Sequence, residues 1–260
     1  MNSTTQYHGP VTSSVDWCEE NYEVTPYIAE FFNSVSSLAM MIISFYGIYK
    51  HRNLDILTKR FFFLYLAIVV VGIGSVLFHG TLLREFQALD EVPMIYAALT
   101  FDFILLGLFI YAVVTTLAVT ILTGNAQFRT FHISYGIAQE INIVLFIRLY
   151  WITKNDGVKK MFKVALVTFV SAVAAWLTDL LLCEYVNGSE NSILPVNFQL
   201  HAVWHCGISS AVYFFSLAAL LAASEKIGKP ATIRYHFGII PYVSNDTNLK
   251  NNTLKTFKEE

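Results

Sequence analysis

Charge is what this sequence has least of. Only 14% of its 260 residues are Asp, Glu, Lys or Arg, against roughly 25% in an average soluble domain. With 55% hydrophobic residues, a soluble chain of this composition would expose large apolar patches and aggregate, so a lipid bilayer is its natural solvent. Lys and Arg are absent from the first 49 positions, although Asp16, Glu19, Glu20, Glu23 and Glu30 lie there. Without a basic n-region, a cleavable signal peptide is not expected, and the first apolar segment should remain as an anchor. The net charge of −2 comes with no domain-sized basic patch, which excludes a soluble nucleic-acid binder. Neither an inverted repeat nor a pair of broken helices is visible, which argues against a transporter. No KDEL-type retention signal closes the tail, so endoplasmic reticulum and Golgi membranes are both compatible.

The apolar runs that remain are long. A transmembrane helix needs about 20 predominantly apolar residues, and spans are expected near 30–49, 61–79, 129–150, 160–182 and from Phe198 to Ala223. Between them, Val92–Thr123 is a 32-residue apolar stretch with Asp102 as its one charge. As one helix it would measure about 48 Å, too long for a hydrocarbon core of roughly 30 Å. Basic clusters at Lys50–Arg60, Lys154–Lys163 and Lys226–Lys258 should share the cytoplasmic side. That requires an odd number of spans between Asp90 and Tyr150, met by starting a helix near Phe86 and breaking the stretch around Leu105–Ala112. The expectation is an all-α seven-transmembrane-helix bundle with a lumenal N-terminus and a cytoplasmic C-terminus. It divides into a lumenal segment 1–29, a membrane domain 30–224 and a cytoplasmic tail 225–260. All Lys and Arg except Arg84 and Arg129 then face the cytoplasm.

Polar groups inside spans are costly and therefore mark function by default. His201 and His205 lie four apart in the last span, on one helix face. Ser75 and His79 repeat that spacing at the end of the second span, and Asp90 and Glu91 open the third. In this topology His79, Asp90, His201 and His205 converge near the lumenal face. Three imidazoles and a water form a ligand set for catalytic zinc with an open fourth position. Asp90 is placed to orient or deprotonate that water, and Ser75 to hydrogen-bond a developing oxyanion. Interhelical hydrogen bonding is the plainer reading of an H-x-x-x-H pair taken alone. His8, His51, His132 and His236 have no comparable partners and read as structural or solvated. Asp102, Glu140 and Asp179 lie inside spans without an assigned role.

Asp16, Glu19, Asn21 and Glu30 supply hard oxygens suited to calcium, but their spacing is not an EF-hand loop, and a solvated acidic segment is the favoured account of them. Cys18 and Cys183 both fall on the lumenal side, where a disulfide is permitted; Cys206 reads as a packing residue. Sequons at Asn2 and Asn187 are lumenal, whereas those at Asn245 and Asn251 fall in the tail.

These residues sit in blocks that resemble the alkaline ceramidases. The blocks are Asp16-Trp17-Cys18-Glu19-Glu20-Asn21-Tyr22 with Tyr27-Ile28-Ala29-Glu30-Phe31, Gly72-Ile73-Gly74-Ser75-Val76-Leu77-Phe78-His79, Leu89-Asp90-Glu91-Val92-Pro93-Met94-Ile95-Tyr96, and Gln199-Leu200-His201-Ala202-Val203-Trp204-His205. The resemblance implies a seven-span intramembrane hydrolase that splits ceramide, reached within the bilayer, into a sphingoid base and a free fatty acid. It places zinc on His79, His201 and His205, and catalytic roles on Ser75 and Asp90. It places calcium on Asp16, the Trp17 carbonyl, Glu19, Asn21 and Glu30, and a disulfide between Cys18 and Cys183. No obligate protein partner is implied. The alternative is a seven-helix receptor of the progestin and adiponectin receptor type with a structural zinc, which would have no use for Ser75 and Asp90 beside an open metal position.

Overall fold

The structure is a computed structural model that describes residues 7–54, 57–99, 105–229 and 231–245. It is mostly helical. Helices α1 (Phe31–Ser36) and α2 (Leu38–His51) run on through Ser37, which keeps right-handed helical torsions, and together form one rod. The step between them has a local cause: the hydroxyls of Ser36 and Ser37 lie 3.0 and 2.7 Å from the carbonyl of Asn33, and such back-bonding bends helices. The other helices are α3 (Leu57–Thr81), α4 (Arg84–Leu99), α5 (Leu105–Ile121), α6 (Gly124–Ile152), α7 (Asp156–Val186) and α8 (Leu200–Lys226). Seven helical rods are thus present among the described residues.

Four of these helices are long and apolar enough to cross a membrane: Phe31–His51, Lys59–Thr81, Asp156–Val186 and Leu200–Lys226. The 29-residue α6 carries Arg129, Gln139, Glu140, Asn142 and Arg148 and is not among the four. The outer faces are apolar, with Ile42 and Val167 each 67% exposed and Leu181 68%. Surface of that kind is satisfied by lipid rather than water.

The break expected within Leu105–Ala112 is not there: helix α5 is continuous from Leu105 to Ile121. Residues 100–104, Asp102 among them, lie outside the described residues, as do Asn2 and Asn251.

Short polar devices set the other helix ends. Helix α3 stops where Leu82 turns left-handed (φ 53°). Arg84, opening α4, donates to the carbonyls of Thr120, Ile121 and Leu122 at the C-terminus of α5, where a cation also meets the negative end of the helix dipole. Asn155 caps α7 by accepting from Gly157 N and Val158 N. Helices pack closely where a side chain is missing. A Cβ on Gly74 would come 2.5 Å from the Leu89 carbonyl of α4, and one on Gly207 would come 2.7 Å from Ala172 of α7. Membrane helices lack a hydrophobic drive to associate and rely on such small residues.

One end of the bundle is apolar and capped by an element that the sequence reading left inside the tail. Strands β1 (Ala231–His236) and β2 (Ile240–Asn245) form an antiparallel hairpin, with Ala231 opposite Asn245 and His236 opposite Ile240. Val243 is buried against a core that includes Tyr65, Phe146, Phe162 and Phe215. Val243 N donates to His51 Nε2 at 3.2 Å, and Tyr213 donates to the Pro241 carbonyl at 2.6 Å. The opposite end is covered by the N-terminal segment, held by backbone hydrogen bonds from Thr12 and Ser13 to Leu82 and from Ala29 to Gly80. The same segment is tied to α7 by the Cys18–Cys183 disulfide.

That disulfide closes 165 residues of sequence, and a cross-link of a native chain typically contributes about 2–4 kcal/mol. Cys183→Ala should lower the thermal midpoint and expose residues 7–30 to protease in limited proteolysis. Unchanged protection would show that hydrogen bonds alone hold the segment.

Candidate active site

At the end covered by the N-terminal segment, α3 and α8 present His79, His201 and His205, all buried. Candidate ligand atoms of the three lie within 4.8 Å of one another. The surroundings fix which nitrogens face inward. His79 Nδ1 donates to Glu30 Oε2 at 2.5 Å. His205 Nδ1 lies 3.1 Å from the Asn33 carbonyl and 2.9 Å from the Ser36 hydroxyl. A carbonyl can only accept, so Nδ1 of His205 carries the proton; a Glu30 carboxylate that accepts from His79 leaves the proton on its Nδ1 as well. Both rings therefore turn an Nε2 lone pair toward the cluster. His201 stacks on Trp17 with ring centroids 3.8 Å apart, and its Nδ1 is buried without a partner. Acceptor lone pairs gathered in a buried space, with one orphaned ring nitrogen beside them, fit a bound cation. Imidazole nitrogens suit a borderline transition metal.

The first turn of α8 is positioned from outside the helix. Gln199, the residue before it, is left-handed and supplies no side-chain cap. The Asp179 carboxylate of α7 accepts instead from His201 N and from Cys18 N, each at 3.2 Å. One buried carboxylate thus satisfies an orphan helix N–H and holds the N-terminal segment. The intramembrane acid left without a role by its sequence context is a positioning group.

Ser75, one turn before His79, is completely buried. Its hydroxyl lies 2.9 Å from that of Ser37 and hydrogen-bonds the Asp90 carboxylate. Gly74 makes this pairing possible, because its missing side chain lets the backbone at Leu89 and Asp90 lie directly on α3. Next to Asp90, Glu91 accepts from Gln87 at 2.8 Å and from Gln127, while Gln87 also accepts from Ser14 N at 2.7 Å. This buried network ties α4 to α6 and to the N-terminal segment.

These groups open onto a cavity of about 560 Å³, within the range of small-molecule sites. Ser75, His79, Asp90, His201 and His205 line it together with apolar residues of α6 and α7 such as Ile143, Val144 and Phe169. A largely apolar void with a polar cluster in its wall suits a lipid with one reactive polar group.

The acidic N-terminal residues form a second cluster above the first. Asn21 Nδ2 donates to both Asp16 oxygens at 3.0 and 3.1 Å, and Asn21 Oδ1 is buried without a partner. Glu19 accepts from Phe32 N and Asn33 N at the start of α1. Glu30 accepts from Trp17 N at 3.0 Å. Burial pushes the Glu19 carboxyl up to about 7 and raises that of Asp16, with the nearby Glu30 charge adding to both. Crowded carboxylates with an orphaned amide oxygen fit a hard cation.

A sequence model of the family described as Ceramidase matches residues 9–244. The chain belongs to the ceramidase family. It is similar to alkaline ceramidase 3 of Mus musculus, at 33% identity over 258 residues covering 91% of this chain and 94% of the relative. It is also similar to an alkaline ceramidase of Arabidopsis thaliana, at 29% identity with the same coverage. Alkaline ceramidase YPC1 of Saccharomyces cerevisiae is 29% identical over 80% of this chain and 75% of the relative. The four ceramidase-like blocks all lie inside the matched region.

The structure brings together Ser75, His79, Asp90, His201 and His205 in the cavity wall, Asp16, Glu19, Asn21 and Glu30 in a second cluster outside it, and Cys18 with Cys183. Glu30 belongs to both clusters. The sequence reading missed Asp179, Asn33 and the Ser36–Ser37 pair, none of which has local spacing that could reveal its partners. Among the histidines set aside, His51 is structural, but His132 lines the cavity. Cys206 is free and exposed.

Asp179→Ala should destabilise the protein by about 1–3 kcal/mol for each buried N–H left unpaired, with Asp179→Asn less damaging because one acceptor remains. Thermal melts of the two variants in detergent check this; equal midpoints for both and the parent would refute the positioning role.

Proposed function

We propose that this protein is an intramembrane amidase that hydrolyses the N-acyl bond of ceramides, releasing a sphingoid base and a free fatty acid. The observation that carries the reading is the Ser75–Asp90 pair standing beside the three-histidine cluster in the wall of one apolar cavity. Membership of the ceramidase family and relatives named alkaline ceramidases support it. A receptor with a purely structural metal would not need that pair.

His79, His201 and His205 would hold zinc. Bound there, zinc would polarise the scissile carbonyl and make a water acidic enough to attack near neutral pH. The chain's own groups do the rest. Asp90 takes the proton of the attacking water and returns it to the leaving nitrogen, so that the amine departs neutral. Ser75 turns its hydroxyl from Asp90 to the carbonyl oxygen as negative charge develops on it. Glu30 holds the His79 tautomer, as carboxylates behind metal-bound imidazoles commonly do. Apolar walls along α6 and α7 take the alkyl chains and keep bulk water from the amide.

Calcium would be held by Asp16, the Trp17 carbonyl, Glu19, Asn21 and Glu30, and would fix the N-terminal segment over the site. The reading places all seven rods across the membrane, with the N-terminus lumenal and the C-terminus cytoplasmic, in the endoplasmic reticulum or Golgi. Support comes from the basic residues around the hairpin end and from a disulfide at the opposite end, where an oxidising lumen sustains it. Residues 1–29 then form a lumenal segment, 30–224 the membrane domain and 225–260 a cytoplasmic portion.

The direct test is fatty-acid release from a panel of ceramides by purified protein, with metal content quantified. The parent should release fatty acid, His201→Ala should lose both zinc and activity, and Asp90→Asn should keep zinc while losing about 100-fold or more in rate. A zinc-loaded parent that splits no ceramide at neutral or alkaline pH, with calcium present, would overturn the proposal. Chelating calcium at constant zinc occupancy should lower activity, and an unchanged rate would remove calcium from the mechanism.

A further inference from the structure

His132 carries a role that neither its sequence context nor the reaction chemistry assigns. It lies two turns into α6, half-buried, in the wall of the cavity. Its Nδ1 is 2.7 Å from the carbonyl of Phe128, one turn earlier. A carbonyl only accepts, so Nδ1 holds the proton and the neutral ring keeps its lone pair on Nε2. The ring has little freedom to turn over. The Phe128 ring lies 4.0 Å away, the Trp176 ring stacks on it at 5.4 Å with 13° between planes, and the Phe131 ring meets it edge-on at 5.1 Å. Trp176 in turn packs at 5.9 Å on Trp204, the neighbour of His205. This aromatic contact places His132 at the histidine end of the cavity, on the wall that α6 contributes. No hydrogen bond among the described residues engages Nε2.

A fixed acceptor in a largely apolar wall selects for a donor on the ligand. On the proposed function, on which this inference rests, the ligand offers few donors. The carbonyl oxygen is an acceptor, and the amide nitrogen is the group that Asp90 must reach. The hydroxyls of the sphingoid base remain, on the two carbons flanking the one that bears the nitrogen. We propose that His132 Nε2 accepts a hydrogen bond from one of these hydroxyls and thereby sets the depth at which the substrate sits. Alkyl chains slide easily along an apolar cavity, so a single polar anchor beside the amide determines whether the carbonyl stands opposite Ser75 and Asp90. The same anchor would discriminate ceramides from simple fatty-acid amides, because the latter would cover the acceptor and leave it unpaired.

The test pairs two variants with two substrate analogues. His132→Phe preserves the stacking and removes the acceptor; His132→Gln retains an acceptor. Ceramide is compared with its 1-deoxy and 3-deoxy analogues of the same acyl chain. His132→Phe should lose roughly 5- to 10-fold in kcat/KM on ceramide, chiefly through KM, and should lose nothing on the analogue lacking the hydroxyl that His132 binds. His132→Gln should recover part of the loss. Equal losses on ceramide and both analogues would reduce His132 to a packing residue and overturn the inference. Binding is measured separately, as the Kd for ceramide of the Asp90→Asn protein with and without His132→Phe. A 5- to 10-fold weaker Kd is expected, and an unchanged Kd also overturns the inference. If the parent splits no ceramide, the function fails, while the binding comparison still decides the role of His132.

Discussion

Much of this structure hangs on one buried carboxylate. Glu30 is fully buried just before the first helix. An ionised carboxylate in such a place is tolerated only when its oxygens are occupied. Trp17 N, the Asn33 side chain and His79 Nδ1 occupy them, while the Glu30 backbone N–H donates to the His79 carbonyl at 2.9 Å. Each partner belongs to a different part of the chain. The contact therefore fixes the fold of the N-terminal segment, the entry of the first rod and the end of α3 together. It also sets the tautomer of one of the three clustered histidines. Removing the carboxylate would disturb all of these, because the same two oxygens serve every one of them.

The two ends of the bundle are built by different physics. At the hairpin end, aromatic and aliphatic side chains fill the space, and hydrogen bonds from Tyr213 and Lys160 and to His51 orient the cap. At the Glu30 end, buried polar groups satisfy one another across segments distant in sequence: Asp179 with Cys18 and His201, Glu91 with Gln87 and Gln127, Ser75 with Asp90. Such networks are stable only when nearly complete, which makes this end demanding in sequence. It also holds the side chains rigidly where the proposed chemistry requires precise placement.

How much of this was legible in the sequence depended on the range of the interaction. The i, i+4 pairs Ser75–His79 and His201–His205 were legible because helical periodicity places such residues on one face. Convergence of the two pairs followed from charge asymmetry and span counting. The hairpin was not legible, because its strands are short and lie in a polar region where no membrane pattern applies. Asp179 was visible only as an expensive residue, since its partners are backbone N–H groups 161 and 22 residues away. The break expected within Leu105–Ala112 is absent, and nothing polar in that run marks where a helix should end. His132 was dismissed because its environment is made by Trp176, from another helix.

The cavity explains why a polar cluster and a bilayer belong to the same protein. A lipid amide cannot be brought to an aqueous active site without exposing both its chains, at roughly 0.8 kcal/mol for each CH₂ moved into water. Placing reactive groups in the wall of an apolar cavity removes that cost but creates another, because each polar group put there must be compensated. Glu30, Asp179, Asn33 and Ser37 supply that compensation behind the histidines and Ser75. The inner faces of His79 and His205 are thereby left as acceptors, with no hydrogen-bond donor opposite them among the described residues. The groups behind the site are thus as much a condition of the proposed activity as those that face the substrate. A variant in the outer set should impair chemistry without touching the lipid.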